Sequence, residues 1–203
     1  MTPVRIPLPR LHAVTDERIA ELPTLAAAAR ALGSTGAALH ARGHSLPGRA
    51  HLRLARLLAE AAPDRLFVND RADVALAAGA AGVQLAADGL APADARRLRP
   101  DWWIGVSVHD LAAARSARDG GADYLLVGPV HATPTHPEVS PLGVAGLAPF
   151  VALGLPVVAI GGVDASRARE LRRAGAHGVA AIRALWDAPD PRAAAREILK
   201  ELE

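Results

Sequence analysis

Residues 156–182 read PVVAIGGVDASRARELRRAGAHGVAAI, and they contain one complete repeat of the pattern that decides the fold. An apolar run of strand length comes first, a Gly pair follows it, and the polar stretch after the pair has helical periodicity. A Gly closes this predicted helix, and a second apolar run begins two residues later. This order of strand, helix and strand predicts a βα unit of a parallel sheet.

The same pattern recurs along the chain, with Ala-, Leu- and Arg-rich helical segments between short apolar runs. The runs are LHAVT (11–15), GAALHA (36–41), RLFVN (65–69), GVQLA (82–86), WIGVSV (103–108), DYLLVGPV (123–130), PVVAIGG (156–162) and HGVAAI (177–182). Three helices end in similar phrases, AAGAAGV, RDGGADY and RRAGAHGV, whose Gly we expect in the left-handed conformation. Eight such units in 203 residues predict one α/β domain over 1–203, a single (β/α)₈ TIM barrel. A doubly wound open sheet is the alternative.

Composition excludes several classes of function. The chain has no cysteine, which excludes disulfides, thiolate nucleophiles and zinc sites built on cysteine. Lys200 is the only lysine, which argues against Schiff-base chemistry from the core. The net charge is +2 and 3% of residues are aromatic, so we expect no nucleic-acid binding. Without a long apolar run or a signal-peptide pattern, we expect a cytoplasmic protein that does not bind membranes.

In such a barrel, the loops after the strands carry the chemistry. After the seventh run, the backbone amides of Gly161 and Gly162 and the following helix start can bind an anion. After the eighth run, Arg183 can make a bidentate contact to phosphate. We therefore predict a phosphate site at these two strand ends. The alternative is that the Gly pair only permits a tight turn.

Polar side chains also follow the second and third runs. Asn69 and Asp70 are hydrogen-bonding groups at the rim, and Asp70 either holds a divalent cation or caps the next helix. His40, Arg42 and His44 lie on one side of the chain if the extended form continues beyond the second strand. The alternative for these three is a solvated polar loop. Metal binding by the two histidines is weakly supported without a nearby carboxylate.

Two more runs end in polar groups. The fifth is followed by Ser107, His109 and Asp110, of which Asp110 is predicted to cap the next helix. The sixth is followed by HATPTHP, a proline-rich loop that carries His131 and His136. A loop that only turns the chain does not require imidazole groups.

Six segments together resemble one known family. VTDE, LHARG, FVNDRADVALAAGAAGVQL, IGVSVHDLAAA, GADYLLVGPVHATPTH and PVVAIGGV occur in the order found in the thiamine phosphate synthase superfamily. That superfamily includes the synthase and the TenI-type thiazole tautomerases. The resemblance covers nearly the whole chain and implies the same barrel. It also implies a thiazole phosphate ligand, with its phosphate on the Gly161–Gly162 and Ile182–Arg183 loops.

The synthase branch joins a pyrimidine methyl diphosphate to the thiazole phosphate and needs Mg²⁺. By resemblance, Asn69 falls at a diphosphate position and Asp70 at the first metal position. Ser107, Thr133 and Thr135 also match that branch.

The chain departs from the synthase pattern at three places. The pattern Gln-Leu-Arg-x-Lys on the second strand is here His40-Ala41-Arg42-Gly43-His44, and the lysine after the Thr-x-Thr pair is His136. The second metal carboxylate falls at Gly89, and we expect the neighbouring Asp88 to point the other way. A neutral histidine is a poor replacement for a constant positive charge beside a diphosphate.

The tautomerase branch needs no metal, because it shifts a proton to aromatise a thiazole carboxylate phosphate. Its histidine on the sixth strand falls at Pro129, and His131, two residues later, points to the same face if the strand continues. His131 is therefore predicted as the acid–base residue, with His136 as the alternate. The other interpretation is that both are surface histidines.

From these residues we expect a thiazole tautomerase that uses no cofactor and binds a small-molecule thiazole phosphate. The first alternative is a thiamine phosphate synthase, with Mg²⁺ at Asp70. The second is a thiazole phosphate binder without activity. Substrate contacts are expected from six residues: His40, Arg42, Asn69, Ser107, Thr133 and Thr135. The sequence leaves open whether the chain forms a homo-oligomer.

Overall fold

The computed structural model describes residues 5–133 and 139–203. Its strands coincide with the eight apolar runs. They are β1 Leu11–Val14, β2 Ala38–Ala41, β3 Leu66–Asn69, β4 Gly82–Ala86, β5 Trp103–Val108, β6 Tyr124–Val127, β7 Val157–Ile160 and β8 Gly178–Ala181.

Helices connect consecutive strands on the outside of the sheet, and two further helices follow β8. They are α1 Glu17–Ala20, α2 Leu25–Gly33, α3 Gly48–Ala61, α4 Ala72–Ala78, α5 Pro92–Leu98, α6 Leu111–Asp119, α7 Ala148–Val151, α8 Ala165–Arg173, α9 Arg183–Trp186 and α10 Pro191–Glu201, with a 3₁₀ turn at Ala145–Leu147. No helix within the described ranges is long and apolar enough to cross a membrane.

The strands form a closed parallel barrel in which each pairs with its neighbours in the sequence and β8 pairs with β1. This confirms the (β/α)₈ prediction and excludes the open sheet. In a closed barrel of this order, β3 and β7 lie half a turn apart. Side chains from the ends of these two strands therefore face each other across the barrel mouth.

The residues that begin and end several helices are the ones that the sequence predicts. The three closing glycines, Gly79, Gly121 and Gly175, have φ of 65°, 90° and 96°, as expected for left-handed residues that end helices. Asp110 and Asp164 cap α6 and α8, where each carboxylate accepts a hydrogen bond from a backbone N–H of the first turn.

The barrel interior is filled by two large rings and a set of polar side chains. Phe67 and Tyr124 are fully buried and contact at 6.2 Å in an edge-to-face arrangement. They fit because the facing positions on β4 and β5 are Gly82 and Gly105. A Cβ at Gly82 would lie 2.6 Å from the Phe67 ring, and one at Gly105 would lie 2.2 Å from the Tyr124 ring. His12, His40 and Gln84 share this interior and are also fully buried.

Candidate active site

A cavity of about 510 Å³ opens at the C-terminal ends of the strands. This volume is within the usual range for small-molecule sites, and the position is where TIM barrels carry their active sites. Nine of the predicted site residues line it: Arg42, Asn69, Asp70, Ser107, Thr133, Gly161, Gly162, Ile182 and Arg183.

The predicted phosphate loops form one side of this cavity. Gly161 has φ of 105° and Gly162 has φ of 61°, which side chains other than Gly rarely adopt. A Cβ at Gly161 would lie 2.7 Å from Pro129, and one at Gly162 would lie 2.6 Å from the carbonyl oxygen of Ala132. The pair is thus required both by its backbone conformation and by the close approach of the loop after β6.

Backbone donors at this side are available to a ligand. Within the described residues, the N–H groups of Gly162, Val163 and Arg183 have no backbone acceptor. All three residues line the cavity. Because backbone N–H groups require a partner, such a set of donors suits an anion.

Asp70 lies half a turn away, at the end of β3. It has φ of 61°, which is uncommon for a residue other than Gly and indicates a constrained position. Its Oδ1 accepts a hydrogen bond from the Ala86 backbone N–H at 2.9 Å, and its own N–H donates to the Gln84 carbonyl oxygen. The N-cap of α4 is Arg71, which makes no side-chain cap. Asp70 is therefore not a helix cap, and its carboxylate is held at the cavity wall.

Asp88 also lines the cavity. β4 ends at Ala86 and the chain turns there, with the Gly89 N–H donating to the Ala86 carbonyl oxygen at 3.1 Å. Asp88 was expected to point away from Asp70, whereas both residues line the same cavity.

Arg42 and His44 add basic groups to the same cavity. Both line the cavity, and the Arg42 guanidinium donates to Nε2 of His44 at 2.6 Å. The imidazole of His44 accepts this bond, so it carries its hydrogen on Nδ1 in this arrangement. The two side chains form a pair in which Arg42 supplies the permanent charge.

Hydrogen bonds in the core orient Ser107 on the cavity floor. The Tyr124 hydroxyl donates to Oε1 of Gln84 at 2.8 Å, and Nε2 of Gln84 donates to the Ser107 hydroxyl oxygen at 3.0 Å. Burial raises the pKa of Tyr124 well above its ordinary value, which keeps the phenol protonated as the donor. Since Ser107 accepts from the core, its own hydroxyl hydrogen can be donated to a ligand.

His40, predicted to touch substrate, does not line the cavity. It is fully buried beneath the floor, because β2 continues to Ala41 and alternation turns His40 into the barrel. Its ring stacks on Phe67 at 4.9 Å, and its Nδ1 lies 3.3 Å from the Asn69 amide. Burial lowers the pKa of His40 to about 4. Any influence of His40 on a ligand therefore acts through Asn69.

His131 follows the sixth strand but is not among the residues of the cavity wall. Its backbone N–H donates to the Gly161 carbonyl oxygen at 3.1 Å. Burial, and then the charge of Arg167, lowers the pKa of its imidazole. The other predicted residues of this loop, Thr135 and His136, lie outside the described residues.

Sequence reasoning assigned no site role to three residues that belong to this region. His109 lines the cavity, and its Nδ1 bonds the Gly128 carbonyl oxygen. His12 and Gln84 lie in the barrel interior below it. The available signal was the two-residue period of LHAVT and GVQLA, which places His12 with Val14 and Gln84 with Ala86 on the inward face.

The chain is similar to known proteins over almost its whole length. A family model described as thiamine monophosphate synthase matches residues 11–185. A thiamine-phosphate synthase of Methanoculleus marisnigri is 42% identical over 195 residues, which cover 93% of this chain and 92% of the relative. A solved structure of a thiamine phosphate pyrophosphorylase from Pyrococcus furiosus has a TM-score of 0.81 and 34% identity, and 95% of each chain is covered.

A longer relative is also similar. The thiamine biosynthesis bifunctional protein ThiM/ThiE of Symbiobacterium thermophilum is 50% identical over 145 residues. These residues are 68% of this chain but only 29% of that relative.

These findings correct one prediction. The expected tautomerase activity, with His131 or His136 as its acid–base residue, is contradicted because the similar proteins are thiamine-phosphate synthases. The loss of two lysines and the shift of one carboxylate are local departures from the synthase pattern, and they do not change the family to which the whole chain is similar. The similarity favours the synthase alternative, and the chain belongs to the thiamine monophosphate synthase family.

Proposed function

We propose that the protein is a thiamine phosphate synthase, which joins a pyrimidine methyl diphosphate to a thiazole phosphate and releases diphosphate. One observation supports this more than any other. The cavity has a phosphate-type end at β7 and β8 and a carboxylate and arginine end at β2 to β4, half a turn away. A reaction between two phosphorylated substrates requires two separate anion sites facing one reaction space.

The phosphate-type end suits the thiazole phosphate. The donors there are backbone N–H groups near Gly162 and Arg183, together with the Arg183 guanidinium. Backbone donors hold their direction without a loss of side-chain entropy, so they position a phosphate well. We infer that this end fixes the thiazole substrate and that the rest of its ring extends into the cavity.

The opposite end suits a diphosphate bound with a cation. Asp70 and Asp88 provide carboxylate oxygens, which are the ligands that Mg²⁺ prefers, and Mg²⁺ is commonly held by one or two carboxylates and substrate phosphates. The constrained backbone of Asp70 and its bond from the Ala86 N–H fix one of these carboxylates. A bound Mg²⁺ would neutralise charge on the leaving diphosphate. Arg42 would contact the same group from the β2 side.

The chain itself contributes binding and orientation. Holding two substrates in one cavity makes their reaction effectively unimolecular, which is a large part of the rate enhancement for such a step. The cavity floor is closed by Ser107, Leu126 and Ile160, and the packed barrel core lies below. Water therefore enters from the rim only, which limits hydrolysis of the diphosphate ester.

The proposal is tested by supplying both substrates to the purified protein and measuring thiamine phosphate by chromatography. We expect product with Mg²⁺ and none with EDTA, and diphosphate released in equal amount. If thiazole phosphate binds but no product forms at any Mg²⁺ concentration, the protein is a binder without activity and the proposal is wrong.

A further inference from the structure

Two consecutive carbonyl groups of the Gly161–Gly162 loop are held by residues outside the cavity wall. The Gly161 oxygen accepts a hydrogen bond from the His131 N–H at 3.1 Å, and the Gly162 oxygen accepts one from the Arg167 guanidinium. Neither His131 nor Arg167 lines the cavity. A Cβ built on Gly162 would lie 3.3 Å from Nη1 of Arg167, so the guanidinium packs directly against the loop.

These two bonds fix the direction of the N–H groups that follow. In a planar trans peptide, the C=O and the N–H point to opposite sides. The Gly161 carbonyl shares a peptide plane with the N–H of Gly162, and the Gly162 carbonyl shares one with the N–H of Val163. Both N–H groups lack a backbone acceptor within the described residues, and both residues line the cavity. Holding the two oxygens therefore directs two anion donors away from His131 and Arg167.

The bond from Arg167 also strengthens the donor that it orients. A hydrogen bond to a carbonyl polarises the peptide and makes the N–H of the same peptide a better donor. A bond from a guanidinium does so more than one from a neutral group. The Gly161 oxygen is held by a backbone N–H, which every residue except Pro supplies, whereas the bond to Gly162 requires the Arg167 side chain.

Asp164 orients Arg167 at the start of α8. The Arg167 backbone N–H donates to Oδ1 of Asp164 at 3.0 Å, and its Nε lies 3.8 Å from Oδ2. The Arg167 side chain is 44% exposed, and an exposed ion pair of this kind contributes little to stability. The bond to the Gly162 oxygen is therefore the contact through which this side chain acts on the site.

We propose that Arg167 is a positioning residue for the phosphate of the thiazole substrate, acting through the peptide between Gly162 and Val163. Its guanidinium fixes the Gly162 carbonyl, and this aims the Val163 N–H at the phosphate without contact between Arg167 and the ligand. The assignment of that phosphate to the thiazole rests on the proposed function. The alternatives are that Arg167 is only a distant positive charge, or that its ion pair only stabilises α8.

The first experiment needs no synthase activity. Inorganic phosphate is titrated into the full-length protein labelled with ¹⁵N, and the amide signals of Gly162 and Val163 report its binding. Arg167→Met keeps most of the side-chain length but has no donor. The phosphate concentration at half saturation should rise about 10-fold, as expected when one hydrogen bond to a charged group is weakened. A rise below about 2-fold would overturn the proposal.

The carbonyl carbon of Gly162 reports the contact itself. Loss of its donor in Arg167→Met should move the ¹³C signal of this carbon upfield. The carbonyl carbon of Gly161, which is held by the His131 N–H, should keep its position. If the Gly162 signal is the same in both proteins, the guanidinium does not hold this oxygen in solution and the inference is wrong.

Steady-state kinetics separates positioning from a general loss of structure. In the synthase assay, Arg167→Met should raise KM for the thiazole phosphate about 10-fold and keep kcat within about 2-fold, because the contact is the same in the ground state and the transition state. KM for the pyrimidine diphosphate should stay within about 2-fold. Arg167→Lys retains a charged donor and should restore KM to within about 3-fold of the unaltered protein. A Lys variant as weak as Met, or equal changes for both substrates, would refute the positioning role.

Arg173→Met is the matched control for charge. Arg173 is exposed on the same helix and, among the described residues, bonds no atom of the Gly161–Gly162 loop. Its loss should change phosphate binding less than about 2-fold. The effect of Arg167→Met should persist between about 0.05 and 0.5 M NaCl, because salt screens distant charges more than a hydrogen bond. An equal loss in Arg173→Met, or an effect that disappears at high salt, would show that Arg167 is only a distant charge.

Thermal unfolding tests the other alternative. Arg167→Met should unfold within about 2 °C of the unaltered protein, because the exposed ion pair contributes little. A lower unfolding temperature with unchanged phosphate binding would show a structural role only and would overturn the proposal. If the protein shows no synthase activity, the proposed function fails, while the phosphate titration and the carbonyl signal still decide the role of Arg167.

Discussion

Replacing Gly162 by Ala should weaken binding of the thiazole phosphate far more than binding of the unphosphorylated thiazole. Gly162 has φ of 61°, and a Cβ there would lie 2.6 Å from the Ala132 carbonyl oxygen and 2.9 Å from Cβ of His131. The left-handed conformation alone costs Ala about 1–2 kcal/mol. Neither neighbouring atom is the flexible end of a side chain, so the loop itself must move.

The expected loss follows from the hydrogen bonds that such a movement breaks. A hydrogen bond to a charged group contributes about 1.5–3 kcal/mol, so loss of one bond to the phosphate should raise Kd about 10- to 150-fold. The unphosphorylated thiazole should change by less than about 3-fold, because it does not use these donors. Titration calorimetry with the two ligands measures both values.

Gly36→Ala provides the matched control. Gly36 has φ of 88°, but a Cβ there would have no atom within 4 Å. It should lower thermal stability through the same backbone strain and leave both Kd values unchanged. Equal losses for the two ligands in Gly162→Ala, or a similar loss in Gly36→Ala, would refute the assignment of the phosphate to this loop.

Three further changes have defined outcomes. Asp70→Asn should lower turnover at least about 100-fold and remove the dependence of turnover on Mg²⁺. The fold should be kept, because Asn adopts positive φ and still accepts a hydrogen bond from the Ala86 N–H. If turnover depends on Mg²⁺ concentration in the same way in both proteins, this carboxylate holds no metal. The folded-state pKa of His40 lies below its unfolded value, so its contribution to stability is complete above about pH 6.5 and is lost as pH falls towards 4; at pH 5 the loss should be about 2 kcal/mol. Urea unfolding should show that His40→Gln removes this part of the pH dependence, and an identical dependence in both proteins would contradict it. Asp123→Ala should lower the free energy of unfolding by about 2–3 kcal/mol, because this partly buried carboxylate accepts from Arg96 at 2.7 Å and from the Ile104 N–H at 2.8 Å. A change below about 0.5 kcal/mol in urea titrations would show that these hydrogen bonds do not stabilise the fold.

The fold was predictable from the sequence because its signals are local and repeated. Every strand is a short apolar run, and three helices end at a Gly that takes positive φ. Gly161 and Gly162 were identifiable for the same reason. Such a pair directly after a buried strand has few conformations available other than the turn observed.

The end of the cavity formed by β2 to β4 was less predictable, because the positions of its side chains depend on where these strands end. His40 was expected to contact substrate and Asp88 to point away from Asp70, whereas His40 lies beneath the cavity floor and Asp88 lines the cavity. Strand ends depend on packing against neighbouring strands, which a single sequence does not contain. The contact between His12 and His40 joins residues on two different strands, and it forms only when β1 pairs with β2.

The choice between synthase and tautomerase was the main error. Histidines such as His44 and His136 at lysine positions reduce the permanent positive charge available to a diphosphate. Two such substitutions do not show which charges the remaining residues of the site supply. Arg42 lines the cavity and keeps a permanent positive charge, and Asp70 and Asp88 line the same cavity.

The division of the cavity between two anionic groups is tested most directly by a crystal structure with thiamine phosphate, diphosphate and Mg²⁺ bound together. We predict the phosphate of the product on the backbone N–H groups of Gly162 and Arg183, and the diphosphate with Mg²⁺ beside Asp70 and Asp88. A product phosphate bound at the Asp70 end, or a metal bound away from both carboxylates, would contradict the account.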